Sequence, residues 1–357
     1  MVYEARGSVR AVRNAPFVIG AVLSLVAVVG ACGHDPGGRG TEPGARDVTE
    51  ETGAPAPGAS SATAPSTPVA SATPPAVTRA PARSSAPTGG GPPVAAASGK
   101  LWRLSFSEEF NGNGYDRSKL TPCFDWNYGA CTASFNNGRE RYLSSQVVVS
   151  QGTAKLVAAP LSPPYASSAC QGGSCTYKAG LLSTARPRGD NGSKYLYAFR
   201  YGYVEARLKF PATRGFFTAF WMLPADPSYS YRTEIDILEL LGDDPTTMFM
   251  TYHYNDRSQS YAVNKGKFNN GSCPVKDYSK GFVRMGVDWE PDRIAWYING
   301  RKCAEFTNRS QIESGPMQII LHMMVDNDWQ RRWNVGLTDP ALTRQLEVDY
   351  LRVYQQV

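Results

Sequence analysis

The chain has 357 residues, 37 Lys and Arg against 31 Asp and Glu, and a formal net charge of +6. The two signs are mixed along the sequence, and no Lys/Arg block is interleaved with aromatics, which argues against nucleic acid as a partner. No internal repeat of fixed period is present, so an array of small modules is also excluded.

In chain order, residues 1–31 read as an export signal. Arg10 and Arg13 precede an apolar run over residues 15–29 that ends in Val29-Gly30-Ala31-Cys32. A cysteine directly after small residues resembles a bacterial lipobox, which would make Cys32 the lipidated first residue of the mature protein and its membrane anchor. An uncleaved anchor or an ordinary secretory signal are the plainer readings. The run is short for a span of about 20 residues, and neither alternative accounts for the cysteine. The expected location is extracytoplasmic, lipid-anchored to the cell membrane or secreted.

Residues 32–99 are dominated by Pro, Ala, Ser, Thr and Gly, with Ala54-Pro55-Ala56-Pro57 and Gly89-Gly90-Gly91-Pro92-Pro93 as examples. Such a tract buries too little apolar surface to offset its ordering entropy and reads as a disordered, partly stiff linker.

Residues 100–357 read as one globular unit rich in Tyr, Trp and Phe, with short apolar runs punctuated by Gly, Pro, Asn and Asp. Tyr203-Val204-Glu205-Ala206-Arg207-Leu208-Lys209-Phe210 alternates as a strand does, and Ile294-Ala295-Trp296-Tyr297-Ile298 runs into Asn299-Gly300, a pair that tolerates positive φ and predicts a hairpin turn. Helical periodicity is scarce, so the expected fold class is an all-β sandwich, here expected as a monomer. Six cysteines lie in this unit. Sequence proximity favours Cys123 with Cys131 and Cys170 with Cys175, leaving Cys273 for Cys303. Six cysteines nonetheless allow 15 pairings. A zinc site is the weaker alternative, because the spacing does not form paired CxxC knuckles.

The segment Glu234-Ile235-Asp236-Ile237-Leu238-Glu239 places three carboxylates within six residues, each separated by aliphatics. In a strand Glu234 and Asp236 share a face while Ile235 and Ile237 enter a core. Strict alternation puts Glu239 on the wrong face, and one extra residue, a β-bulge, returns it to the acids. Three acids on one face repel each other, which a purely structural strand has no reason to accept. Two carboxylates flanking a scissile bond are the chemistry of glycoside hydrolysis.

This hexad resembles the active-site signature of glycoside hydrolase family 16 in its longer, bulged form. The resemblance extends to Phe106-Ser107-Glu108-Glu109-Phe110, Tyr201-Gly202-Tyr203-Val204-Glu205-Ala206-Arg207, Ala219-Phe220-Trp221-Met222-Leu223-Pro224, Asp288-Trp289-Glu290-Pro291-Asp292-Arg293-Ile294 and Glu347-Val348-Asp349-Tyr350-Leu351-Arg352-Val353-Tyr354, in the family's order. It implies a β-jelly-roll of two antiparallel sheets with a substrate cleft on one face. It also implies a retaining mechanism with Glu234 as nucleophile, Glu239 as general acid/base and Asp236 hydrogen-bonded to the nucleophile. Retention needs the two carboxyl groups about 5–5.5 Å apart with different proton affinities.

Around the acids, Trp221 is a candidate sugar platform or a core residue, and His253 resembles a family position beside the catalytic site. Asn137 is a candidate ligand at the cleft edge, or an ordinary turn residue. Trp329 and Trp333, near Asp328, would shape a further subsite or cap the sandwich. Catalysis needs no cofactor. By resemblance a structural calcium would sit on Glu109, the Gly152 carbonyl and Asp349, against the alternative that the two acids form ion pairs. One departure stands out: many glucan-cleaving relatives carry Gly-Gly before the tryptophan, where this chain has Asp326-Asn327-Asp328-Trp329. Larger polar groups there are expected to alter the cleft wall. The expected substrate is a polysaccharide, a β-glucan with β-1,3 or mixed β-1,3/1,4 linkages cleaved internally. The alternatives are a transglycosylase, a hydrolase of another polysaccharide on the same fold, or a glucan-binding module without catalysis. The last would lack a catalytic glutamate, and both are present.

Overall fold

A computed structural model describes residues 90–125, 131–134, 136–187, 194–226, 233–254, the backbone of 263–267, and 269–357, all within a unit spanning 85–357. The signal segment, Cys32 and the linker up to residue 89 lie outside the described residues.

The strands are β1 (Trp102–Glu108), β2 (Glu140–Tyr142), β3 (Val147–Ser150), β4 (Thr153–Ala166), β5 (Ser174–Ala179), β6 (Leu181–Ser183), β7 (Gly202–Lys209) and β8 (Phe216–Pro224). They continue with β9 (Glu234–Leu241), β10 (Phe249–Tyr254), β11 (Val263–Lys267), β12 (Val283–Glu290), β13 (Arg293–Ile298), β14 (Arg301–Phe306), β15 (Met317–Val325) and β16 (Arg344–Gln356). One short α-helix, α1 (Asp328–Arg332), is present among the described residues.

These strands form two sheets. The larger has ten strands along the path β14-β13-β12-β7-β16-β4-β5-β2, with β1 added on β16 and β3 on β4. The smaller has six, in the order β11-β10-β9-β8-β15-β6. Pairing is antiparallel throughout except between β2 and β5, which run parallel. The fold is the expected all-β jelly-roll sandwich. Alternation decides which face of each strand is inside: Val204, Ala206 and Leu208 of β7 join Ile235, Leu238 and Leu240 of β9 in one core. Trp296 crosses it, its indole N–H donating to the Asp236 carbonyl at 2.8 Å. The predicted hairpin is present, with Ile298 facing Arg301 across Asn299 (φ 53°) and Gly300 (φ 81°).

On the outer face of the larger sheet, residues 90–99 lie against the domain. Val94 packs on Tyr203, Ala295 and Tyr297, and its carbonyl accepts the Trp102 indole N–H at 2.8 Å. Gly90 sits so close to the Tyr350 hydroxyl that a Cβ would approach within 2.1 Å of it. The last part of the Pro/Gly-rich tract is therefore packed chain. The three disulfides join Cys123 to Cys131, Cys170 to Cys175 and Cys273 to Cys303, the pairs that sequence proximity favours.

Candidate active site

The bulge required by the acids is in β9. Phe220 faces Leu238 and Trp221 faces Asp236, so Ile237 has no counterpart on β8. The same extra residue breaks the register with β10, where Phe249 faces Glu239 and Thr251 faces Asp236. Directly opposed residues share a face. His253 opposite Glu234, Thr251 opposite Asp236 and Phe249 opposite Glu239 alternate strictly along β10. One face of the six-stranded sheet thus carries Glu234, Asp236 and Glu239 together, turned away from the larger sheet.

Glu234, Asp236 and His253 bring their polar atoms within 4.8 Å of one another. The His253 Nε2 lies 3.0 Å from the Asp236 Oδ2, and Asp236 and Glu234 are hydrogen-bonded through their side chains. Burial pushes the Asp236 carboxyl up to about 7. Burial and the neighbouring Asp236 charge hold the Glu234 carboxyl well above its ordinary range, with His253 pulling the other way. Two carboxyl groups in this contact share one proton near neutral pH. Both shifts place that proton on Glu234, the more strongly raised of the two, with Asp236 as its acceptor.

Trp221 lies on the same face, as the cross-strand neighbour of Asp236, and is only 3% exposed. Its ring stands 5.8 Å from the imidazole of His322. His322 was not among the expected site residues, yet register places it on this face, opposite Ala219, which in turn faces Glu239. Its Nδ1 is 2.9 Å from the Tyr142 hydroxyl, and Phe124 meets the ring edge-on at 5.3 Å. Burial drives its pKa down to about 3, so it is neutral. Alternation along β15 was the available signal, but only the pairing of β15 with β8 gives that alternation a face.

At the Glu239 end of the face stands an aromatic cluster. Trp329 packs edge-on against Phe217 at 5.4 Å and Phe249 at 5.1 Å. Trp333 follows at 6.0 Å from Trp329. Asn137, in the left-handed region at φ 53°, donates from Nδ2 to the Asp328 carboxylate at 3.3 Å, and its carbonyl accepts Arg331 at 2.9 Å. The structure thus brings Asn137 and Trp329 together through α1.

Two expectations are corrected. Asp326 and Asn327 are both buried and do not line the cleft. Asp326 pairs with Arg139 at 2.5 Å and accepts the Leu337 N–H at 3.1 Å. Asn327 is the N-cap of α1, in a reciprocal capping box with Gln330. They act on the wall indirectly, by building the helix that carries the tryptophans. The calcium ligands do not fit the ion either. The Glu109 carboxylate takes both arms of the Arg352 guanidinium at 2.7 Å each, and Asp349 takes Arg207 at 2.7 Å. A cation there would have to displace two guanidinium groups, and Gly152 serves the β3–β4 hairpin at φ 76°.

Residues 176–350 match the family model described as Glycosyl hydrolases family 16. The chain is 29% identical over 178 residues to Endo-1,3-1,4-beta-glycanase ExsH of Rhizobium meliloti (strain 1021), covering 50% of this chain and 33% of that protein. It is 25% identical over 290 residues to Glucan endo-1,3-beta-glucosidase A1 of Niallia circulans, covering 74% of this chain and 39% of the relative. It therefore spans only 33% to 39% of the length of these curated relatives. Among solved structures, the endo-beta-1,3-glucanase from Pyrococcus furiosus is similar with a TM-score of 0.56 and 27% identity, covering 74% of this chain and 99% of that one. The matched segment contains all six strands of the acid-bearing sheet. The sandwich built around these acids is a glycosyl hydrolase family 16 domain.

Proposed function

We propose that this domain is an endo-acting glycoside hydrolase that cleaves a β-glucan with β-1,3 or mixed β-1,3/1,4 linkages, retaining the anomeric configuration. The observation that carries the reading is the Ile237 bulge, which sets Glu239 on the face of Glu234 and Asp236. The names of the two curated relatives support the glucan and its linkages. Three disulfides suit an oxidising, extracytoplasmic compartment.

In the first step the Glu234 carboxylate attacks the anomeric carbon while protonated Glu239 gives its proton to the departing glycosidic oxygen. The C–O bond of the substrate breaks and an ester to Glu234 forms. Glu239, now ionised, takes a proton from water, whose oxygen attacks the same carbon and releases Glu234. Asp236, hydrogen-bonded to Glu234 and braced by His253, orients the nucleophile and accepts its proton as Glu234 ionises to attack.

The test is hydrolysis of a polysaccharide panel by the purified domain and by Glu234→Gln and Glu239→Gln. Each variant is expected to lose roughly 10²–10⁴-fold in turnover with an unchanged circular dichroism spectrum. Product linkage and the anomer first released, read by NMR, check the glucan and the stereochemistry. Full turnover in either variant would sink the assignment.

A further inference from the structure

Trp333 is 56% exposed, the one tryptophan so open among the described residues. Leaving an indole in water forgoes the burial that the other described tryptophans obtain, and capping the core does not explain it, since Trp329 already covers Phe217 and Phe249.

Its position is fixed by two contacts. The ring meets Phe249 edge-on at 5.8 Å with an interplanar angle of 90°, and Trp329 at 6.0 Å and 86°. Phe249 is the cross-strand partner of Glu239, so Trp333 stands on the acid face, roughly 10 Å from Glu239 when an opposed pair is about 5 Å apart. That is on the order of two pyranose rings along a chain.

The platform is held rigidly. The Trp333 N–H donates to the Trp329 carbonyl at 3.2 Å, and Asn334 closes the helix at φ 57°. Arg214 donates to the Asn334 carbonyl and, at 3.0 Å, to that of Gly336. Asn327 caps the same helix. A pre-set aromatic ring loses little freedom on meeting a ligand.

We propose that Trp333 is a sugar-stacking platform at the Glu239 end of the cleft, a distal subsite that favours long neutral β-linked glucan chains over short ones. Glucopyranose units in such chains hold their hydroxyls equatorially and present C–H faces, which complement the electron-rich face of an indole. The inference rests on the glycosidase reading above.

The experiment measures kcat and KM for the wild-type domain, Trp333→Ala and Trp333→Phe on a length ladder of β-1,3 and mixed-linkage gluco-oligosaccharides. In Trp333→Ala the ratio of kcat/KM for the longest over the shortest cleaved oligosaccharide is expected to fall about three- to tenfold, through KM rather than kcat. Trp333→Phe should recover part of it, at an unchanged melting temperature for both variants. An active enzyme whose ratio is the same in Trp333→Ala overturns the platform alone. A wild-type domain that cleaves none of the glucans overturns the glycosidase reading and the platform with it.

Discussion

The carboxylates of the two sheets keep opposite company. On the ten-stranded sheet, Asp288 is bonded by Arg293 at 2.7 Å, Asp349 by Arg207 at 2.7 Å, and buried Glu205 by the hydroxyls of Tyr203 and Tyr350 at 2.8 and 2.7 Å. On β9, Glu234 and Asp236 face each other and His253, and among the described residues no arginine or lysine is paired with either. The first set is neutralised in place and holds strands together. The second has another acid and a histidine for company, and its carboxyl groups are held above their ordinary range, as suits reactive groups. Acid content alone therefore does not mark a site; the partners of the acids do.

The comparison can be broken first at a structural acid. Arg293 is 28% exposed and Asp288 fully buried, so Arg293→Ala leaves a carboxyl inside without its cation. Thermal unfolding should show a loss of about 2 kcal/mol, below the 3–5 kcal/mol of a fully buried pair because Arg293 reaches solvent. Turnover per folded molecule should hold. If turnover fell and stability did not, the division between the two sheets would be wrong.

On the reactive side, His253→Asn removes the group that favours the Glu234 anion. The Glu234 pKa should rise, so the acid limb of the kcat/KM profile should move to higher pH, with roughly a tenfold loss at pH 6, about 1.4 kcal/mol. A profile that moves to lower pH, or none at all, would deny His253 this part.

A last, pH-dependent effect concerns His322, whose folded pKa lies near 3 against 6.5 in the unfolded chain. Below pH 6.5 the unfolded chain takes a proton that the fold refuses, so stability is lost as pH falls from 6.5 toward 3. The slope approaches about 1.4 kcal/mol per pH unit. Urea unfolding at pH 7 and pH 5 should show that His322→Asn flattens this decline.

Much of this arrangement was legible before any coordinates. Three acids in an alternating strand demanded a bulge, and Ile237 supplies it. Asn299-Gly300 specified its hairpin because the chemistry of a tight turn is local. What escaped the sequence depends on cross-strand partners. Glu109 and Asp349 resembled oxygen ligands until Arg352 and Arg207 arrived from neighbouring strands. Asp326 and Asn327 looked like cleft wall, yet the fold turns both inward. Residues 90–99 had the composition of a linker, and only the tyrosine-lined outer face of the larger sheet gives Val94 and Gly90 somewhere to pack. His322 had no visible role until β15 was set beside β8.

Those packed residues also settle an access question. Gly90 lies against Glu205 and Tyr350 on the outward side of the ten-stranded sheet, while the acids point outward from the other sheet. The whole thickness of the sandwich separates that packed segment from the three acids. A chain lying across β9 would therefore not meet the segment that begins at Gly90.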